Sequence, residues 1–304
     1  MSVVALAAVI GKLLALVAVG SALRASRLLT ADDARPLNAV IVYVGLPALV
    51  FQAVHPAPLG WDLAVVAGIA WAVSLVGFGV GYVASRMLRL TRPQAGALML
   101  SAALGNTGFI GYPIALAILG PSGLVKAVFY DEFGTVAVLL TVGLAVAAAF
   151  GSAEERPRLL FELATFPAVV ALVAAIVLKQ VAVPIQVSDW LDMLAKLVVP
   201  LIMISLGLSF RPRAVREYVK PVAVVAVIKL VALPLVALAL GTALLHGDAG
   251  AMRVVVLEAG MPSMMLTLVF GARFRLDIDL IASAIVVTTV AAVVAIPLGQ
   301  ALVR

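Results

Sequence analysis

Two short stretches of this chain carry residues that do not belong in a run of apolar helix. GNTGFIGYP (105–113) sets three glycines, Asn106, Thr107, Tyr112 and Pro113 inside an otherwise hydrophobic segment. LEAGMPSMM (257–265) does the same with Glu258, Gly260, Pro262 and Ser263. Proline in a helix interior costs about 3 kcal/mol and glycine about 1 kcal/mol relative to alanine, so both stretches predict unwound backbone. A helix that resumes after such a break points unpaired N–H groups and a positive dipole end into the space beside it. The matching chemistry is the holding of a small anion, a carboxylate above all. The resumptions are expected near 111–114 and 263–265. Asn106 and Thr107 are the expected donors to its oxygens. Tyr112, Pro113, Glu258, Pro262 and Ser263 frame the site, with the prolines keeping the helices broken.

Charge is the second signal. Lys229 has apolar neighbours on both sides, and an ionisable group inside a membrane faces protein or water rather than lipid. Its candidate partners are Asp131, Glu132 and Glu258. Lys229, Glu258 and Asp131 are the candidates for charge balance or proton coupling, with Glu258 either carrying a proton or neutralising Lys229. Asp131 and Glu132 are placed at the outer mouth of a span, and Lys12 is expected to snorkel to an outer surface. Other residues of chemical type carry no comparable signal. Gly77, Gly79 and Gly81 in GFGVGY lie inside a helix with no strand before them and read as packing positions. His55 and His246 are isolated and no cysteine is present, so no metal site is expected. Ser205 and Ser209 lack a histidine to activate them and are expected to bond local carbonyls. No nucleophile, acid–base pair or cofactor motif points to an enzyme.

These groups must be positioned by membrane helices. The chain has 304 residues, 64% hydrophobic and 12% charged, where soluble domains are about half apolar and a quarter charged. Spans of roughly 20 apolar residues are read at about 3–23, 36–54, 62–85, 93–119, 126–150, 159–179, 190–210, 218–245, 250–271 and 277–303. The runs are too long and too uniformly apolar for barrel strands. The net charge of +6 encodes orientation rather than nucleic-acid binding. Arg24, Arg27, Arg35, Arg86, Arg89, Arg92, Arg156, Arg158, Arg211, Arg213, Arg216, Lys220, Arg273 and Arg275 all follow odd-numbered spans. Only Lys126, Lys179, Lys196, Arg253 and Arg304 fall on the opposite side, so both termini are expected outside. Ser2 begins the first apolar run, and no cleavable signal peptide is expected. The polar segment GSAEERPRLL (151–160) divides the chain into 1–150 and 151–304, each with five spans. An odd number of spans per half gives opposite insertion, the inverted repeat of many secondary transporters.

The chain resembles the auxin efflux carrier family, which includes plant PIN-type carriers and bacterial malonate and malate carriers. The resemblance runs over essentially the whole length, in LNAVIVYVGLPALVF (37–51), GNTGFIGYPI (105–114), PLIMISLGLSF (200–210), VIKLVALPL (227–235) and AGMPSMMLTLVFGARFRLD (259–277). It implies an all-α polytopic membrane protein of ten transmembrane helices in two inverted five-helix repeats, related to the bile-acid sodium symporters. Helices 4 and 9 would be broken and would cross. Helices 1, 2, 6 and 7 would form a scaffold, helices 3–5 and 8–10 a transport unit moving as an elevator, and the whole a homodimer. Asn106, Pro113 and Pro262 match the crossover. The chain departs from plant carriers in having Glu258, Ala259 and Gly260 where they place an asparagine, and in lacking a long cytoplasmic loop. The expected function is therefore a secondary carrier of small organic anions, auxin-like or malonate- and malate-like, with H+, Na+ or no coupling ion, in a bacterial inner membrane. The alternative is a membrane sensor that binds such a ligand without moving it.

Overall fold

The structure is a computed structural model that describes residues 3–152, 165–209 and 217–303, with the side chains of 3–10, 13, 14 and 209 left aside. Most of the polar divide at 151–160, the first residues of the sixth predicted span and the basic run Arg211–Arg216 lie outside the described residues. Among those described there is no strand, only an isolated bridge. The helices are α1 (Val3–Ala25), α2 (Ala34–Val54), α3 (Trp61–Met87) and α4 (Arg92–Ala103), then the run Thr107–Phe150. After it come Pro167–Val177, Ile185–Ser209, Val219–Leu244, Ala249–Ala259, Thr267–Arg273 and Ile278–Ala301, here α7 to α12. The run Thr107–Phe150 has 44 residues. At 1.5 Å per residue it would be roughly 65 Å long, well beyond a bilayer. Gly120 divides it, with φ of +71°, and Pro121 opens the second part where its missing N–H leaves nothing unpaired. The parts are α5 (107–119) and α6 (121–150). Among the described residues, six of the helical stretches are long and apolar enough to cross a membrane.

Two boundaries differ from the sequence reading for local reasons. α6 starts at the Gly120–Pro121 turn, not at 126, so Asp131 and Glu132 sit inside the helix and are buried, not at its outer mouth. α8 starts at Ile185 rather than 190, because its polar first turns are helical too, with an exposed Asp192–Lys196 pair one turn apart.

Three helices contain wide, π-type turns that end just before a proline: Ile41–Gly45 before Pro47, Thr107–Gly111 before Pro113 and Ile228–Ala232 before Pro234. A proline ring clashes with the carbonyl four residues back. Here those carbonyls belong to Tyr43, Phe109 and Leu230, all inside the widened turns, which absorb the clash without breaking the helix. Two more wide turns in α6, Tyr130–Val136 and Leu139–Gly143, have no proline to account for them.

The buried apolar residues form two cores. One joins α3, α4, α6 and α9–α12 through residues such as Val73, Leu100, Leu139, Leu233, Val255 and Ile281. The other joins α2, α7 and α8 to α5, to the first turns of α6 and to faces of α10 and α12, through Val50, Leu172, Val198, Ile114, Val128, Leu257 and Ile296. α1 lies on α8, where Gly20 and Gly207 meet: a Cβ on either would fall 2.1 Å from a backbone oxygen of the other helix. Ser205 bonds the Asn38 amide oxygen at 2.7 Å, a link between α8 and α2 rather than the local carbonyl expected for it. Lys126 of α6 reaches Asp62 at the start of α3 (3.2 Å) and Asp248 at the cap of α10 (3.7 Å).

Outside the apolar region, the Tyr218 hydroxyl donates to Asp277 at 3.0 Å, and Asp277 also caps α12 by accepting from the Leu280 amide. Burial first, then this bond to a carboxylate, push the Tyr218 phenol up to about 12. A raised phenol adds stability that is complete below its unfolded value of about 10 and is lost as pH rises through the folded value. Tyr218→Phe is expected to cost about 1 kcal/mol near neutral pH. Thermal unfolding in detergent should show the wild-type advantage over this variant fading between about pH 10 and pH 12.

Candidate functional site

The two unusual stretches are interrupted helices, and the interruptions lie against each other. α4 ends at Ala103, Leu104 is extended, and helix resumes at Thr107. α10 ends at Ala259, and helix resumes only at Thr267. Gly105 and Ser263 pair as an antiparallel bridge: the Asn106 amide donates to the Pro262 carbonyl (2.7 Å) and the Met264 amide to the Leu104 carbonyl (3.0 Å). Each break thus supplies the hydrogen bonds the other has lost, which is how unwound backbone survives where water is absent.

The resumption points differ from those expected. α5 begins before Pro113, which lies inside it behind the wide turn and does not make the break. The break belongs to Gly105 and Asn106 (φ −81°, ψ 58°). Pro262 does lie in its break. The resumption at Thr107 follows non-helical backbone, so the first amides of α5 lack the carbonyls a preceding turn would offer. α11 is different. Its seven residues are preceded by a turn in which the Thr267, Leu268 and Val269 amides bond the Met264, Met265 and Leu266 carbonyls. Only one of the two expected helix ends therefore keeps unpaired amides, and the Asp131 carboxylate lies against it at Gly108.

Around the bridge the polar side chains are buried. Asn106 is 3% exposed and its Nδ2 has no partner. Ser263 is fully held: its Oγ donates to the Ser101 carbonyl (2.8 Å), and its amide donates to the Thr288 hydroxyl (3.0 Å). Lys229, in the wide turn of α9, donates to the Ala259 carbonyl at 2.7 Å, where a cation complements the C-terminal end of a helix. A Cβ on Gly105 would sit 3.0 Å from the Lys229 Nζ, tighter than ordinary contact, so glycine gives the ammonium room against the break. Glu258 is fully buried, and neither of its oxygens has a hydrogen-bond partner. Its carboxylate rests on Gly111 of α5, and the charges that act on it are those of Asp131 and Lys229.

Thr107 and Tyr112 are engaged instead with the acids of α6. Thr107 donates to Asp131 Oδ1, and the Tyr112 hydroxyl lies 2.8 Å from Asp131 Oδ2 and 3.1 Å from Glu132 Oε1. Their protons are engaged there in this arrangement. Asp131 and Glu132 were legible in sequence as acids but not as members of this cluster; the Gly120–Pro121 helix start was the signal that buries them. Ser101 and Thr288, which hold Ser263, gave no signal in the sequence. Beside the bridge lies an apolar cavity of about 60 Å³, bordered by Pro262, Ile110 and Ile114 on one side and by Met203, Leu206 and Val17 on the other. No group of three or more metal-ligating side chains occurs among the described residues.

The architecture is that of an integral membrane protein with a polar centre built from two paired helix breaks. Comparison with known proteins agrees and narrows it. The profile of the membrane transport protein family matches residues 5–299. An uncharacterized transporter of Methanothermobacter thermautotrophicus is 33% identical over 94% of each chain. One of Methanocaldococcus jannaschii is 32% identical over 91% of this chain and 92% of the relative. A Rhizobium meliloti protein described as a "putative malonate transporter" is 26% identical over 84% of this chain and 83% of the relative. The chain belongs to the membrane transport protein family, that of the auxin efflux carriers, and is a membrane transporter.

Proposed function

We propose that the protein is a secondary carrier of small organic anions working by alternating access. The observation that carries this reading is the Gly105–Ser263 pairing, which brings together the unpaired first amides of α5, the unpartnered side-chain amide of Asn106 and, against Gly105, Lys229. Donors with no acceptor, next to an ammonium, suit a carboxylate. In this reading ten spans form inverted halves, 1–150 and 151–304, whose broken fourth and ninth members cross at the bridge. In this reading α1, α2, α7 and α8 are the scaffold; the first hydrophobic core lies within the moving unit that contains both breaks, and the second joins that unit to the scaffold. The apolar cavity between them is consistent with a sliding boundary.

The relative described as a malonate transporter makes malonate the first compound to test. A thermal-shift screen of purified protein against mono- and dicarboxylates, with and without sodium, should find a stabilising anion. Uptake or exchange of that anion in proteoliposomes then distinguishes a carrier from a sensor, which would bind without accumulation. Asn106→Ala is expected to weaken binding about tenfold, the loss of one charge-assisted hydrogen bond, with unfolding temperature nearly unchanged. Ser263→Ala, which frees the Ser101 carbonyl and loosens the bridge, is expected to weaken it by a similar factor. Unchanged affinity in both variants, read by the same thermal-shift titration, would place the anion elsewhere.

A further inference from the structure

Tyr112 stands between two buried carboxyl groups and has one proton to give. Its oxygen is 2.8 Å from Asp131 Oδ2 and 3.1 Å from Glu132 Oε1. If the phenol donates to Asp131, its oxygen faces Glu132 Oε1 as one acceptor against another unless Glu132 carries a proton and donates it. The converse assignment has the same consequence for Asp131. A single hydroxyl hydrogen can serve two ionised carboxylates only as a weakened, shared bond, which does not offset two buried charges.

Apart from the Thr107 hydroxyl on Asp131, the described surroundings supply no other compensation. Asp131 and Glu132 are 3% and 2% exposed, and Glu132 Oε2 is buried with no partner. Among the described residues no lysine or arginine nitrogen forms an ion pair with either acid. The groups that face the pair can be named from each packed element. α5 brings Thr107 and Tyr112; α6 itself brings Tyr130. α10 brings Glu258, a further acid, and Lys229 of α9, the one buried ammonium among the described residues, is bonded to the Ala259 carbonyl. α3 adds Ala70, against Gly134, and the Trp71 indole, which donates to the Phe133 carbonyl. Three buried acids with one base leave negative charge that a membrane interior does not tolerate.

We propose that Tyr112, Asp131 and Glu132 form a proton-binding site, in which one proton beyond the phenol's own is held between the two carboxyl groups. Thr107 connects it to the helix break, since the residue that donates to Asp131 is also the first of α5. Loss of the proton places two like charges on either side of Tyr112 and disturbs Thr107 directly. The site stands on this geometry and does not depend on the carrier reading.

The test is infrared spectroscopy of the full-length protein in phosphatidylcholine vesicles. At about pH 7.5 free carboxylic acids are ionised, so a carbonyl-stretch band of an un-ionised acid that shifts in D2O reports a held proton. The expected result is such a band in the wild type, a component of which disappears in Glu132→Gln and in Asp131→Asn but survives Glu258→Gln. Both substitutions at the pair keep size and shape, so either suffices if the other does not fold. Absence of the band, or a band untouched by both substitutions, overturns the proposal. So does a band that appears only when sodium is replaced by choline, which would assign the pocket to a metal cation.

Discussion

Lys229→Met is expected to destabilise the protein by about 3–5 kcal/mol, and Glu258→Gln in the same chain to restore most of it. The lysine does two things at once. It terminates α10 by bonding the Ala259 carbonyl, and it is the favourable charge acting on a glutamate whose oxygens are otherwise unpartnered. Without it, Glu258 retains only the like charge of Asp131, inside a site closed to water. Neutralising Glu258 removes that conflict while the lost carbonyl bond remains, so recovery should be large but incomplete, short by about 1–2 kcal/mol. Thermal unfolding of the two single variants and the double variant, purified in one detergent, closes the cycle. A single lysine variant as stable as the wild type, or a double variant worse than both, would show that the ammonium does not balance Glu258.

Gly207→Leu should be more damaging still to the packing of α1 on α8. Even the first carbon of a side chain at 207 would lie 2.1 Å from the Val17 carbonyl oxygen and 2.8 Å from the Ser21 amide, and Gly20 meets Ile204 in the same way. These are backbone contacts, so no rotamer change relieves them; the helices must separate. A loss of about 3 kcal/mol or more is expected, at or beyond the usual range for overpacking. It is to be read as a lower unfolding temperature or loss of the monodisperse peak in size-exclusion chromatography. Gly68→Ala and Gly79→Ala are the controls, since a Cβ at either meets nothing within 4 Å. They should be neutral or gain up to about 1 kcal/mol of helix propensity.

The helical architecture was legible because hydropathy alone demands it: apolar runs of span length leave the backbone no partner but its own helix. The breaks were legible for a related reason, since Gly105, Asn106, Gly260 and Pro262 are too costly to be accidental in such runs. What sequence could not rank was which residue does the breaking. Pro113 looked like the agent, but a widened turn accommodates it, and that turn depends on three-dimensional packing that no local pattern encodes. Asp131 and Glu132 were misplaced because hydropathy sees where charge begins, not where helix begins; Gly120 and Pro121 mark the start several residues earlier. Lys229 was recognised as interior and Glu258 named among the charges that could act on it, yet its hydrogen bond goes to the Ala259 backbone carbonyl, and carbonyls carry no sequence signature.

The pairing of Gly105 with Ser263 has a mechanical consequence. Pulling the two strands apart would strand the Leu104 and Pro262 carbonyls and the Asn106 and Met264 amides, at about 1–3 kcal/mol apiece where no water can take over. Whatever large displacement this molecule undergoes, α4–α5 and α10–α11 must travel as a single welded part, and any hinge has to be sought elsewhere in the chain.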